Sequence, residues 1–226
     1  MTNFNFLMFC FISITIFIGS SCRKEAPEQE ETSIIEAPDD YIVFVRYKAN
    51  NPRARYNDFI YDFEPGNKVN IYATTYTSEA TDSYIIKGDT IIIVGLQQKI
   101  TRDRVINAAI AGYPIEKFAI IAAPKTYLLG GKTFSGIYYK PDGSTLHSSF
   151  FYQFQAGSST VKAGLELPNV VRESNCILIG NVAVFNNNIA GYPGDRETMV
   201  LVGNELYVNY YDQINDRKYH GVFTQE

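Results

Sequence analysis

Two histidines and three cysteines are the most reactive side chains in this 226-residue sequence. Their spacing gives them little to do. A metal site needs clustered His, Cys or carboxylate ligands. His147 and His220 lie far apart in the chain, with no CxxC or HExxH frame near either, so each reads as a surface or loop histidine and no metal or cofactor is expected. A nucleophilic serine would sit in G-x-S-x-G; Gly157-Ser158-Ser159 does not fit that frame and reads as a turn. Gly130-Gly131-Lys132 lacks the frame and following helix of a phosphate loop. Asp58, Asp62 and Glu64 flank an aromatic strand, a setting in which paired carboxylates could hydrolyse glycosides. The simpler reading is an outward polar face. No catalytic residue is assigned. Cys176 sits in an apolar strand and reads as an inert buried thiol. The residues best suited to a ligand are aromatic. Tyr138, Tyr139 and Phe151 could stack on and bury an apolar molecule or a saccharide, on a face opposing the core residues Phe150, Tyr152 and Phe154.

The elements that must position these residues are mostly strands. With 17 Tyr, 15 Phe and no Trp, the composition favours sheet. Tyr41–Tyr47 is one strand, followed by a turn-rich stretch from Lys48 to Asn57. Phe59, Tyr61 and Phe63 alternate with Ile60, Asp62 and Glu64, the period of a half-buried strand. Ser83–Val94 reads as two strands turning at Gly88-Asp89, and Met199–Tyr211 as two turning at Gly203-Asn204. Phe150, Tyr152, Phe154 and Gly157 repeat the spacing of Phe59, Tyr61, Phe63 and Gly66. Cys176–Phe185 likewise repeats Tyr84–Ile93. Two related β units, about 41–95 and 133–186, account for this, as does generic strand-turn-strand patterning. Between them one helix is predicted. Thr101 is its N-cap, Val105 with Ala109 and Ile106 with Ile110 stack on one face, Gly112 is its C-cap and Pro114 stops it.

The chain begins differently. Phe6–Ile18 is nearly all apolar, too short for a spanning helix of about 20 residues, and is followed by Gly19-Ser20-Ser21-Cys22. This resembles the signal of bacterial lipoproteins, an apolar run ending in small residues and a cysteine. The resemblance implies cleavage before Cys22, lipid on its sulfur, and a place in the cell envelope, at the outer membrane. An uncleaved anchor and an ordinary cleaved signal remain alternative readings of the run. With Cys10 removed and Cys22 lipidated, Cys176 is alone, so the mature chain forms no internal disulfide. Residues 23–40 hold seven acids against two bases, and the remaining body is close to neutral. The acidity belongs to a disordered tether, and no basic cluster suits nucleic acid.

In the second unit, Gly136-x-Tyr138, the Pro141-Asp142-Gly143 turn, an aromatic strand and a later Gly-Asn hairpin resemble lipocalin-like domains of small secreted lipoproteins. That resemblance implies an antiparallel barrel with an apolar cavity. The expected organisation is a signal peptide at 1–21, lipidated cysteine and acidic tether at 22–40, a first β unit at 41–98, a helix-containing connector at 99–132 and a second β unit at 133–226. The fold class is mainly all-β, an antiparallel β-barrel or two packed β-meander units with one intervening α-helix. The function that follows is non-catalytic binding of an apolar molecule or saccharide. One alternative is a surface or pilus-like assembly protein pairing through an edge at Asn204–Gln213. Another is a hydrolase whose site the sequence does not display.

Overall fold

The computed structural model describes residues 33–74, 79–106, 112–122, 127–187 and 194–226. The expected signal run, Cys22 and the expected tether up to residue 32 lie outside these. Ser33–Asp40 does not continue the expected tether. Pro38–Asp40 forms a 3-10 turn, and Ile34 is buried in the core of the first sheet with Ile35 packed beside it. Two isoleucines in an otherwise polar stretch suffice to dock its end.

Among the described residues, the first half is an eight-stranded sheet. Its strands are β1 (Tyr41–Asn51), β2 (Ala54–Glu64), β3 (Lys68–Ala73), β4 (Glu79–Lys87), β5 (Thr90–Ile93), β6 (Gln98–Ile100), β7 (Val105–Ile106) and β8 (Ile115–Ala122). The second half is a nine-stranded sheet. It comprises β9 (Thr133–Tyr139), β10 (Thr145–Phe154), β11 (Thr160–Glu166), β12 (Asn169–Asn175), β13 (Ile177–Ile179), β14 (Val182–Asn186), β15 (Arg196–Val202), β16 (Glu205–Asp212) and β17 (Arg217–Gln225). Both are antiparallel meanders in which the first strand also pairs with the last. β1 lies between β2 and β8, and β9 between β10 and β17. Each sheet therefore curls into a nearly closed barrel, the first open between β7 and β8 and the second between β12 and β13.

Three apolar layers follow from strand alternation. Val43, Val45, Tyr61, Phe63, Ile91 and Ile93 fill the first barrel. Phe134, Tyr152, Phe154, Met199, Leu206 and Phe223 fill the second. The layer between them joins Ile42, Phe44 and Ile60 of the first sheet to Val182, Val184 and Val200 of the second. Burial on both faces explains why Tyr41–Val45 is a continuous apolar run rather than an alternating one. The turns expected at Gly88-Asp89, Pro141–Gly143 and Gly203-Asn204 are present, with Gly88, Gly143 and Gly203 all at positive φ. The repeated F-x-Y-x-F segments are β2 and β10, the second strand of each barrel, and both point their rings inward.

The helix does not start where the sequence predicts. Thr101 N donates to Arg104 O (2.9 Å) and Thr101 Oγ1–H to Asp103 Oδ1 (2.7 Å), closing a tight turn between β6 and β7. Ile100 pairs with Val105, which is buried in the first core. The local hydroxyl–carboxylate bond takes the place of a cap, and the β-branched Val105 and Ile106 extend as strand. Residues 107–111, the rest of that expected helix, lie outside the described ones. The turn-rich stretch assigned to Lys48–Asn57 is shorter than expected, because β1 runs on to Asn51 and β2 resumes at Ala54.

Candidate functional site

At one end of the second barrel the packed interior gives way to an open cavity of about 270 Å3. β9 and β10 bring Tyr138, Phe150 and Tyr152 to it, β12 brings Arg172, and β16 and β17 bring Tyr210 and Tyr219. Leu146, His147, Val171 and Asp212 complete the rim. The rings form ordered faces. Tyr138 stacks on Phe150 with centroids 5.1 Å apart, His147 stacks on Phe150 at 5.6 Å, and Tyr210 stacks on Tyr219 at 6.3 Å.

Beneath this cavity sits a buried polar cluster. Glu197 of β15 points into the barrel with its side chain fully buried, and Arg172 pairs with it. Tyr152 Oη–H donates to Glu197 Oε1 (2.6 Å). Tyr138 Oη lies 3.3 Å from Tyr152 Oη and 3.4 Å from the same carboxylate oxygen. Burial and the Glu197 charge hold both tyrosines well above their ordinary pKa, so their hydroxyls stay protonated as donors. The Arg172 guanidinium lies 5.1 Å over the Tyr210 ring and 5.5 Å over Phe185, a cation–π arrangement. Tyr210 in turn donates to Asp195 Oδ2 (2.7 Å). Glu197 does not line the cavity; it fixes the arginine and the two tyrosines that do. The result is a small cup with aromatic faces and fixed hydrogen-bonding groups, suited to recognising a polar ring.

A polar seam joins the two barrels. Arg46 is almost fully buried and forks onto Asp58 through Nε (2.8 Å) and Nη2 (2.7 Å), and Nη2 also donates to Val208 O (3.1 Å). Asn209 Nδ2 donates to Tyr56 O (3.2 Å), and Lys218 N to Arg53 O (2.8 Å). Burial lowers the Lys218 ammonium to a pKa of about 8. These bonds fix the first hairpin of the first barrel, β1 to β2, against the last two strands of the second.

The structure separates the three aromatic candidates. Tyr138 lines the cup, but on the same face as Phe150 and Tyr152, not opposite them. The ladder places Tyr138 and Tyr139 on opposite faces of β9, so Tyr139 points outward and stacks on His220 (5.6 Å). Phe151 is buried against Gly164 and is not part of the cup. Neither histidine is a loop residue: His147 is half-buried on β10, and His220 is buried on β17, packed edge-on against Tyr56 (4.8 Å). Asp58 and Asp62 do not form an outward polar face. Both are buried, Asp58 paired with Arg46, while Glu64 is exposed. Burial, reinforced by Glu64, raises the Asp62 carboxyl to about 6. Cys176 is buried with its thiol pushed up to about 12 by burial, then by Glu197. Among the described residues no three His, Cys, Asp or Glu side chains gather as a metal site, and no helix is long and apolar enough to cross a membrane. The expected edge at Asn204–Gln213 is not an edge, because β16 pairs with β15 on one side and β17 on the other. Arg172 and Glu197, which organise the cup, lie 25 residues apart on strands that do not adjoin. Their one signal is that each interrupts a strand at an inward position. Comparison with protein-family models, with curated proteins and with solved structures finds no match to this chain.

Proposed function

We propose that this chain is a lipid-anchored protein of the bacterial envelope, held by acyl chains on Cys22, whose second barrel binds a small neutral saccharide without transforming it. The observation that carries the binding reading is the cup, where the half-buried Tyr210 and Tyr219 stand beside the fixed guanidinium of Arg172, over a floor of Tyr138 and Phe150 packed on each other. Aromatic faces cover the apolar side of a sugar ring, and pre-oriented polar groups meet its hydroxyls. An apolar ligand held deep in the barrel fits less well, since Phe134, Phe154 and Phe223 already fill that interior. The volume of about 270 Å3 favours one or two sugar rings over a long chain. The anchor reading rests on the apolar run Phe6–Ile18 and the small residues before Cys22. The acidic residues between Cys22 and Ser33 serve as the spacer.

Titration with a panel of neutral mono- and disaccharides, followed by NMR of tyrosine ring signals, tests the cup. A binding sugar moves resonances of Tyr138, Tyr210 and Tyr219, and Tyr219→Ala weakens it by about 0.5–1.5 kcal/mol, the worth of one ring contact. Binding unaffected by Tyr219→Ala removes the cup from the account.

A second reading, assembly through a strand edge, is favoured by one observation. β12 is an end strand of its sheet, and Val170 and Val171 on it are 40% and 63% exposed. Concentration-dependent association that Val171→Lys abolishes would support it.

A further inference from the structure

A larger cavity, about 420 Å3, opens where the two barrels meet, on the outer side of β9 and β17. It is a separate place from the cup. Its cations come from the first sheet: Arg46 on β1, Arg55 on β2 and Lys117 on β8. Arg46 is already matched by Asp58. Arg55 Nε–H donates to Tyr56 Oη (3.2 Å), and Lys117 Nζ lies 5.2 Å over the Tyr207 ring. Neither Arg55 nor Lys117 forms an ion pair among the described residues, and one carboxylate, Glu116, stands on the wall with them. Two such cations against one acid leave about one positive charge on the wall itself, with Glu205 outside it and accepting from Tyr207 Oη (2.8 Å), so the cleft suits a monoanion rather than a dianion.

The second sheet supplies flat walls. Tyr139 stacks on His220 with an interplanar angle of 24°, while Tyr56 of the first sheet meets His220 edge-on at 86°. His220 is 7% exposed, and its Nδ1 is buried with no hydrogen-bond partner among the described residues. Nδ1 has almost no accessible surface, so a ligand in the cleft would meet the imidazole ring rather than this nitrogen. In the hairpin turn of the second barrel, Gly143 sits at φ +85°, which the turn itself requires, and the Arg55 guanidinium packs against the turn at this residue.

We propose that this cleft is a second binding site, for a carboxylate carried on a six-membered ring. The ring lies against the Tyr139 and His220 walls, and the carboxylate meets Arg55 and Lys117. A guanidinium and a carboxylate match as planar forks, and the volume is within the usual range for small-ligand sites. A phosphate dianion carries more charge than the cleft offsets and has no flat face for the rings.

The test is NMR titration of the full-length chain in detergent, read at the His220 ring, with glucuronate, benzoate, glucose and inorganic phosphate as probes. Glucuronate or benzoate binding confirms the carboxylate, and which of the two binds tells a sugar ring from an aromatic one. Arg55→Gln and Lys117→Gln should each weaken that binding at least about tenfold, with melting temperatures unchanged because Arg46–Asp58 is left intact. Tyr219→Ala, in the cup, should leave it unchanged, which keeps failure here distinct from failure of the saccharide reading. Equal binding of glucose, preferential binding of phosphate, no binding of either carboxylate at tens of millimolar, or indifference to both substitutions would overturn the proposal.

Discussion

Replacing Arg172 by methionine keeps much of the aliphatic stem and removes the charge that matches Glu197. Glu197 then stays fully buried, with the Tyr152 hydroxyl as its close donor at 2.6 Å and Tyr138 farther off at 3.4 Å. Removing one partner of a buried ion pair costs about 3–5 kcal/mol. The Arg172 side chain is 26% exposed at the rim, so water can reach the vacated space and the lower end applies, about 3 kcal/mol. For a body of this size each kcal/mol moves the melting temperature by about 2–4 °C, so Arg172→Met should lower it by about 6–12 °C. The double variant Arg172→Met/Glu197→Gln removes the stranded charge and should recover at least half of that loss. Differential scanning fluorimetry on the four proteins of the cycle decides it. A single-variant shift under about 2 °C, or a double variant no better than Arg172→Met, would refute the claim that the pair organises the barrel end.

Other consequences follow from separate parts of the molecule. Gly221→Ala would put a Cβ 2.4 Å from Phe223 Cε2 and 2.8 Å from Ile137 O, so it should destabilise by about 1–3 kcal/mol in urea unfolding; a neutral effect would mean that the Phe223 ring does not lie flat over β17. Burial, then Arg46 and Arg55, lowers His220 from 6.5 to about 3 in the fold. Its contribution to stability is therefore complete above about pH 6.5 and is lost as pH falls toward 3, because the unfolded chain takes the proton first. The His220→Phe variant should show a flatter difference curve across that window, and an unchanged acid limb would argue against a buried histidine. Asp62 has the opposite sign. Its raised pKa of about 6 favours the protonated fold, so stability falls as pH rises from about 4 to 6, and Asp62→Asn should raise the melting temperature at pH 7 but not at pH 4. Cys176, with its thiol pushed up to about 12, should resist a thiol-reactive dye at pH 8 until the protein unfolds; rapid labelling of the native chain would show that the gap between β12 and β13 opens.

Most strands were legible because alternation is local. Phe59–Glu64 and Tyr84–Ile93 declare their period and turns within a dozen residues. Closure was not legible, since the pairings of β1 with β8 and of β9 with β17 join segments far apart in sequence. The predicted helix failed at Thr101 because Val105 and Ile106, expected to stack on Ala109 and Ile110, are β-branched residues that serve a strand equally well, and Ile100 was there to pair. The candidate site was half legible. Tyr138 was found from its aromatic neighbourhood, but its face depended on the bulged register of β9 against β10. Arg46, Arg172 and Glu197 were missed because a charged residue in a strand looks solvent-facing until the partner across the barrel is known. His220 belongs to the same class: Lys218, His220 and Val222 share one face of β17, and only the neighbouring barrel buries it.

The saccharide cup is tested most simply by native mass spectrometry of the full-length chain, purified gently in mild detergent. A ligand-holding cup gives a monomer carrying a small neutral adduct of sugar-like mass that leaves on denaturation and is depleted in Tyr219→Ala. A bare monomer, or a defined oligomer with no small-molecule adduct, would contradict it.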